Sequence, residues 1–579
     1  MSSGRTDVIV LATLALGFAI AATAIQAHRL ARFDVHSFDL AIFSQGLWAL
    51  GHGHDASSIQ ETSFLGVHFS PLLFALAPLA RLADALTPLL LVFVQGLALG
   101  ASAPLAHAIA RPAGRVPSLV LGVVVLAQPA LRALALDGFH DVCFGVPLAL
   151  GLALAIERGW STRALVGVAL ATALLADEQL PLVLPGAALW LALEKRRREA
   201  AFVLAIGVVT FLVVNFLVLG WLRGGALHVE SLYDHWKSPE ALARFLRSGA
   251  IGETLLLALG LVGPLAFLPL ARPSRLAPAA IVFLLSFAAL RGAQRSLVEH
   301  YHAPITPFVF AAAGSALVKL EERRRGAAVA LLLAATLVAL GISRNDRGEN
   351  ELLSELRDLR AGPADPRAEL VARVPDEASV LASVDFLHAL SAREKLFGLP
   401  GAIRGTKDWS SLPYELPGEL DFVLADTMDT ASFSPGLDDP RSPQALGDLA
   451  RWEAIALDHR LGALALEGST VLLGRGGPSL VAAAEPRGSP RELLQDPHAP
   501  LLASVDTDSI IWAPPPAGLG AVYVELSTGG GPRPLFWRLF RVRPWPREKN
   551  LRECASVPPG PLSVRLRTPT RVGEWVAVR

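Results

Sequence analysis

The stretch VIVLATLALGFAIAATAIQA, Val8 to Ala27, decides the class of fold. About twenty apolar residues at ~1.5 Å each make a helix of ~30 Å, the thickness of the hydrocarbon layer of a bilayer. Arg5 precedes the run and no small-x-small cleavage site closes it, so it reads as an uncleaved first span with a cytoplasmic N-terminus. Working outward, similar runs cover Leu86 to Ala110, Val116 to Leu136, Val142 to Ile156, Ala164 to Ala176, Leu180 to Leu193, Ala200 to Leu222, Gly252 to Ala271, Leu276 to Leu290, Ala303 to Val318 and Gly326 to Ile342. The expectation is an α-helical polytopic membrane protein of about eleven spans, which excludes an ordinary soluble enzyme. Lys plus Arg and Asp plus Glu are both 52, and this balance gives no reason to expect a nucleic-acid partner. Cys143 and Cys554 exclude a zinc ribbon or a disulfide framework, while a single bridge is left open.

Charge placement sets the expected topology. Arg111 and Arg115, Arg158 and Arg163, Lys195 to Arg198, Arg272 and Arg275, and Arg323 to Arg325 fall in alternate linkers, which the positive-inside rule keeps cytoplasmic. The parity requires Pro71 to Asp84 to lie in the interface without crossing, and it places the chain after Ile342 outside the cytoplasmic (inner) membrane. Ala164 to Ala176 and Leu180 to Leu193 are each only ~20 Å long, so the Asp177-Glu178-Gln179 turn between them is expected to dip below the outer surface. The domains expected are 1–342, the transmembrane domain; 343–475, an extracytoplasmic α/β module with short strands such as Ser379 to Val384 and Asp421 to Ala425; and 476–579, an extracytoplasmic β-rich, sandwich-like module.

With this topology, the acids and histidines of the membrane half gather at its outer end. Asp39 sits inside the apolar run Phe38 to Phe43, as expected of an interfacial helix that points an acid inward, where a raised pKa would suit a general base. Asp34 is its neighbour, and a helix cap or a solvated loop is the plainer reading for both. Asp177 and Glu178 need a compensating role at membrane depth. His68 precedes Pro71 at the start of an interfacial helix, and Asp137 to Asp141 reads first as a turn. A divalent metal could use His140, Asp141 and His302, with no ligand spacing to support it. Arg132, Arg291 and Arg295 either snorkel or bind a lipid phosphate, and His300 and Tyr301 extend that group. The sequence carries no Walker loop, dinucleotide fingerprint, nucleophile elbow or His-Glu-x-x-His.

Ser37 to Phe43 with Gln45 and Trp48, His68-Phe69-Ser70-Pro71, Phe139-His140, Asp177-Glu178, and His300-Tyr301 with Pro304 and Pro307 resemble, in order and spacing, the family of predicted membrane proteins called domain of unknown function 2079. The resemblance continues through Val374 to Val380, Arg393-Glu394-Lys395 and Asp421 to Asp426, and covers roughly residues 8 to 475. That family is similar to the GT-C glycosyltransferases, which take a sugar from a polyprenyl-phosphate carrier on the outer face. The resemblance implies that Asp39, with Asp34 beside it, is the catalytic base. It also implies a role for Glu178, although here Asp177 precedes that acid where the family has Lys. The expected reaction is an inverting transfer to a glycan or protein acceptor, with Arg291, Arg295 and His300 on the leaving lipid phosphate. A transporter or lipid flippase, or an inactive scaffold of the same fold, are the rival readings.

Overall fold

The computed structural model describes residues 3–35, 37–224, 233–321, 326–343, 350–360, 365–407, 412–426, 429, 431–432, 451, 455–456, 458–467, 470–475 and the strands between 491 and 577. They divide into two units, one mainly Met1–Ser57 and Thr62–Pro363, the other mainly Ser58–Glu61, Ala364–Lys407 and Leu412–Arg579.

The first unit is helical. Helix Ser3–Ala31 packs along Thr87–Gly100, and a Cβ on Gly96 or Gly100 would come within 2.9 Å of the backbone of Ala19 or Ala15. Small residues on both helices therefore set the close approach, as in membrane helix pairs. The expected eleven spans are supported only in part. Among the described residues three helices, Arg5–Ala31, Asp84–Ala113 and Arg197–Leu222, are long and apolar enough to cross, and up to five if two bent pairs each count as one span. Proline is the main reason. Arg115–Ala127 and Pro129–Leu136 meet at a 43° bend because Pro129 has no N–H to continue the ladder, and Pro264 and Pro269 turn the end of Gly252 to Ala271 into 3₁₀ turns. Thr162–Leu174, Leu180–Leu193, Pro273–Ala288 and Ala327–Ile342 are shorter apolar helices, ~20–24 Å at ~1.5 Å per residue. Pro71–Leu82 is shorter still, too short to cross.

The basic linkers meet one another. Arg115 donates to Asp7 at 2.9 Å, Arg275 pairs with Glu157 at 2.8 Å and Glu194 at 2.7 Å, and Arg196 donates to the Trp160 carbonyl at 3.0 Å. Arg323 to Arg325 lie outside the described residues. Asp39, His68, Asp137, His140, Asp141, Glu178 and His300 collect elsewhere in the same unit, around the turn 137–144.

In the second unit the strands Leu396–Gly398, Val380–Ala382 and Phe422–Asp426 pair in parallel, Thr470–Gly474 pairs antiparallel to the last of them, and Gly462–Glu467, antiparallel in turn to Thr470–Gly474, completes a five-stranded sheet. Leu381, Val423, Val471 and Leu473 are among its buried core. Ser379 donates its hydroxyl to Asp421 at 2.8 Å, which ties the start of one strand to the start of the next. Beyond it, Arg491–Leu493, Ala503–Val505, Ile510–Trp512 and Leu551–Glu553 form one antiparallel sheet. The alternating runs at 521 and 562 become Val522–Thr528 and Leu562–Thr568, paired antiparallel in a second sheet with Leu526 opposite Val564.

Candidate functional site

Ser37 starts the site. Its hydroxyl accepts from Leu40 N at 3.2 Å and N-caps helix Phe38–Gly51, which puts Asp39 in the first turn where a carboxylate is favoured. The turn Asp137 to Asp141 lies directly against this cap. Gly138 has φ +66°, and a Cβ there would sit 2.1 Å from Ser37 Oγ, so only glycine allows the approach. Gln95, fully buried in Thr87–Gly100, clamps the turn from below. Its amide donates to the carbonyls of Leu134 and Gly138 at 2.9 and 2.8 Å, and its oxygen accepts from His140 N at 2.8 Å. Gln26 adds a donor to Gly138 O at 3.2 Å.

These restraints place His140 between two carboxylates. Nδ1 donates to Asp39 Oδ2 at 3.0 Å, and Nε2 lies 3.1 Å from Asp137 Oδ2. The second contact is close enough for an ion pair but off the N–H direction, so His140 Nε2, Asp137 Oδ2 and His300 Nδ1 are buried without a directed hydrogen bond. His300 stacks on His140 with ring centroids 3.7 Å apart and 21° between planes, and Tyr301 stands beside it. Burial disfavours the charged form of every group here, and neighbouring charges decide which groups overcome it. Against burial, the paired carboxylates hold His140 well above 6.5, whereas burial and the adjacent His140 charge lower His300. Burial would raise Asp39, but the hydrogen bond and charge of His140, with His300 and His68, hold it well below the ordinary carboxylate range. The raised pKa expected for Asp39 is thus reversed: it is an ionised carboxylate facing a mostly protonated imidazole. A cavity of about 410 Å³ opens on this cluster, with Asp34, Asp39, Asp137, His140, His300 and Tyr301 on its wall.

A second cluster, away from this cavity, is closed in the sense that its charges pair with one another. Glu178 accepts from His68 Nδ1 at 3.1 Å and from Phe69 N at 3.0 Å, and Arg223 Nη2 lies 3.8 Å from it. Arg223 in turn donates to the carbonyls of Gly66 and Val67, both at 2.7 Å. The π-helical turn Val213–Val218 brings in Asn215, which donates to the Glu178 carbonyl at 3.1 Å. Asp177 is 2% exposed and accepts from Gln179 N at 2.6 Å. Burial would lower His68, but Glu178 and other nearby acids raise it to about 10. Asp141, buried and facing the charges of His68 and Glu178, is raised to about 7. Glu178, Asp177 and His68 do not line the cavity that Asp39 faces.

The remaining residues separate by partner. Arg132 is buried and pairs with Glu355 through Nη2 while its Nη1 has no partner, and Arg295 is held by Glu253 at 2.8 Å and by the Ala289 carbonyl; neither lines the cavity that Asp39 faces. Arg291 is exposed and reaches the Tyr301 hydroxyl. His302 donates Nε2–H to the Leu297 carbonyl and its Nδ1 meets Thr306 Oγ1, at 3.0 Å each, so the metal set His140, Asp141 and His302 does not assemble. Among the described residues Asp39–His140–His300, Asp137–Glu299–His300 and His68–Asp177–Glu178 have ligand atoms within 4.8 Å of one another.

Sequence reasoning missed Gln95, Gln26, Arg223 and Glu355 and undervalued Asp137. The two glutamines were visible as isolated amides inside apolar runs, where an unpaired amide is costly. Arg223 and Glu355 carried no local signal.

The family model described as "Predicted membrane protein (DUF2079)" matches residues 29–443. No curated protein matches. Among solved structures, "ArnT from Cupriavidus metallidurans bound to Undecaprenyl phosphate" is similar at 14% identity and a TM-score of 0.47, over 82% of this chain and 98% of that one.

Proposed function

The chain belongs to the DUF2079 family of predicted membrane proteins, and from that premise we propose that it is a multi-pass membrane glycosyltransferase of GT-C type. It moves a sugar from a polyprenyl-phosphate carrier to an acceptor hydroxyl on the outer face. The observation that carries this reading is Asp39, an ionised carboxylate on the wall of a cavity, fixed by a helix cap and by His140. The acceptor O–H donates to Asp39, and its oxygen attacks the anomeric carbon from the side opposite the carrier. The bond from that carbon to the phosphate oxygen breaks, the carrier leaves as the phosphate anion, and the acceptor proton passes to Asp39. Because His140 lowers its basicity, Asp39 acts mainly by orienting the hydroxyl and by facing the positive charge that grows on the sugar ring, and it takes the proton late. His300 and Tyr301 on the same cavity wall, with Arg291 beside the tyrosine, are the donors nearest to a leaving phosphate.

The test is purified protein in lipid with a panel of polyprenyl-phosphate sugars, read by mass spectrometry of freed carrier. Sugar-dependent release by wild type that is lost in Asp39→Asn, with carrier binding retained, supports transfer. A second reading, proton-coupled transport, draws on the closed His68–Glu178–Arg223 cluster away from the cavity. Carrier binding without turnover, together with proton uptake abolished by Glu178→Gln, would favour it.

A further inference from the structure

Helix Glu351–Asp358 follows the apolar helix Ala327–Ile342 and is inside out for a helix in water. Its buried positions are Ser354 and Glu355, and Glu351, Ser354 and Glu355 line the cavity. On its other side Leu353 is 67% and Leu356 52% exposed, and Leu359 continues the stripe. An amphipathic helix against water shows the opposite polarity.

The helix is firmly placed. Asn350 caps it, accepting from Leu353 N at 3.1 Å, while its amide donates to the carbonyls of Leu340 and Gly341 at 3.0 and 3.1 Å. The helix therefore begins level with the end of the preceding apolar helix. Asp358 pairs with Arg29 at 3.0 Å and Glu355 pairs with Arg132, which fix the acidic side toward the cavity. The outward leucines continue an apolar surface already exposed on the preceding helix, where Leu337 and Ile342 are 69% and 68% exposed. Arg357 and Arg360 flank the leucines on the exposed side, as cations at a headgroup layer do.

We infer that Glu351–Asp358 lies on the bilayer surface with Leu353, Leu356 and Leu359 in the lipid, its acidic side forming the wall that divides the cavity from the hydrocarbon. The inference rests on the membrane reading of this unit and not on sugar transfer. Any amphiphile whose head enters the cavity while its tail stays in the bilayer would pass along this wall.

The experiment uses the wild-type chain in lipid nanodiscs carrying a phospholipid with an acyl-chain diazirine, and fragment mass spectrometry places the adducts. Adducts on Leu353, Leu356 or Leu359, alongside those on Leu337 and Ile342, are expected, with none on Ser354 or Glu355. A soluble diazirine should label the three leucines at least severalfold less than it labels Arg360. Leucines that the soluble reagent labels and the lipid reagent does not would overturn the inference in favour of water. If neither reagent labels them while Leu337 is labelled from lipid, a protein partner covers the face and the inference is likewise overturned. Leu353→Asn with Leu356→Asn should cut lipid labelling of residues 350–360 severalfold. The readout needs no turnover, so it stands or falls separately from the transferase reading.

Discussion

The two buried ionic clusters use similar residues to different ends. Around Glu178 each carboxylate oxygen has a donor, Arg223 spans to two carbonyls, and no member reaches the cavity that Asp39 faces. Around His140 the pairing is less complete: Asp137 Oδ2, His140 Nε2 and His300 Nδ1 are buried near one another without a directed hydrogen bond, and the cluster opens on about 410 Å³ of space. Paired buried charges stabilise a fold, whereas groups without a full set of partners that face a cavity are suited to meet a ligand. On the proposed reading the closed cluster holds the fold, with only Asp141 Oδ2 left without a partner there, and the open one does the chemistry.

Substitutions can break that assignment. Asp39→Asn should have the largest effect, a loss of ~10²–10⁴-fold in carrier release with little change in thermal unfolding. Equal losses of stability and turnover would erase the distinction. In the closed cluster Arg223→Ala removes one partner of a buried pair and should cost about 3–5 kcal/mol of stability, read from unfolding in detergent. Gln95→Met sits beneath the open cluster and removes the clamp on the 137–140 turn. It should cost about 1–3 kcal/mol and disturb turnover more than its stability cost alone would suggest. The smallest effect is a pH dependence. His68 rises on folding from 6.5 to about 10, so its contribution is complete below about 6.5 and is lost as pH rises through about 10. Wild-type stability should therefore decline between pH 7 and 9 more steeply than that of His68→Gln, and parallel curves would place the charge elsewhere.

Much of the site was legible in the chain, and the reasons are local. Asp39 stands out because it interrupts Phe38 to Phe43, and the turn chemistry of Asp137 to Asp141 is explicit. What joins them is not local: Gly138 seats on Ser37 across about a hundred residues of sequence, and Gln95 holds the 134–140 segment across about forty. The sign of the Asp39 shift was unreadable for the same reason, since it depends on which cation arrives. The acid partners of Arg132 and Arg295, Glu355 and Glu253, were equally unreadable, because each comes from a distant part of the chain. The span count is least legible where composition hides geometry: Pro129, Pro264 and Pro269 are three residues in long apolar runs, yet they bend or end the helices there.

The most direct test of the central claim is to locate the ligand. A polyprenyl phosphate with a diazirine next to its phosphate, photolysed on the wild-type protein in lipid, should label peptides carrying 133–140 and 298–301, with Asp39→Asn still labelled. Labelling confined to 64–69 and 177–181 would contradict the account, because the lipid head would then sit at the cluster assigned to the fold.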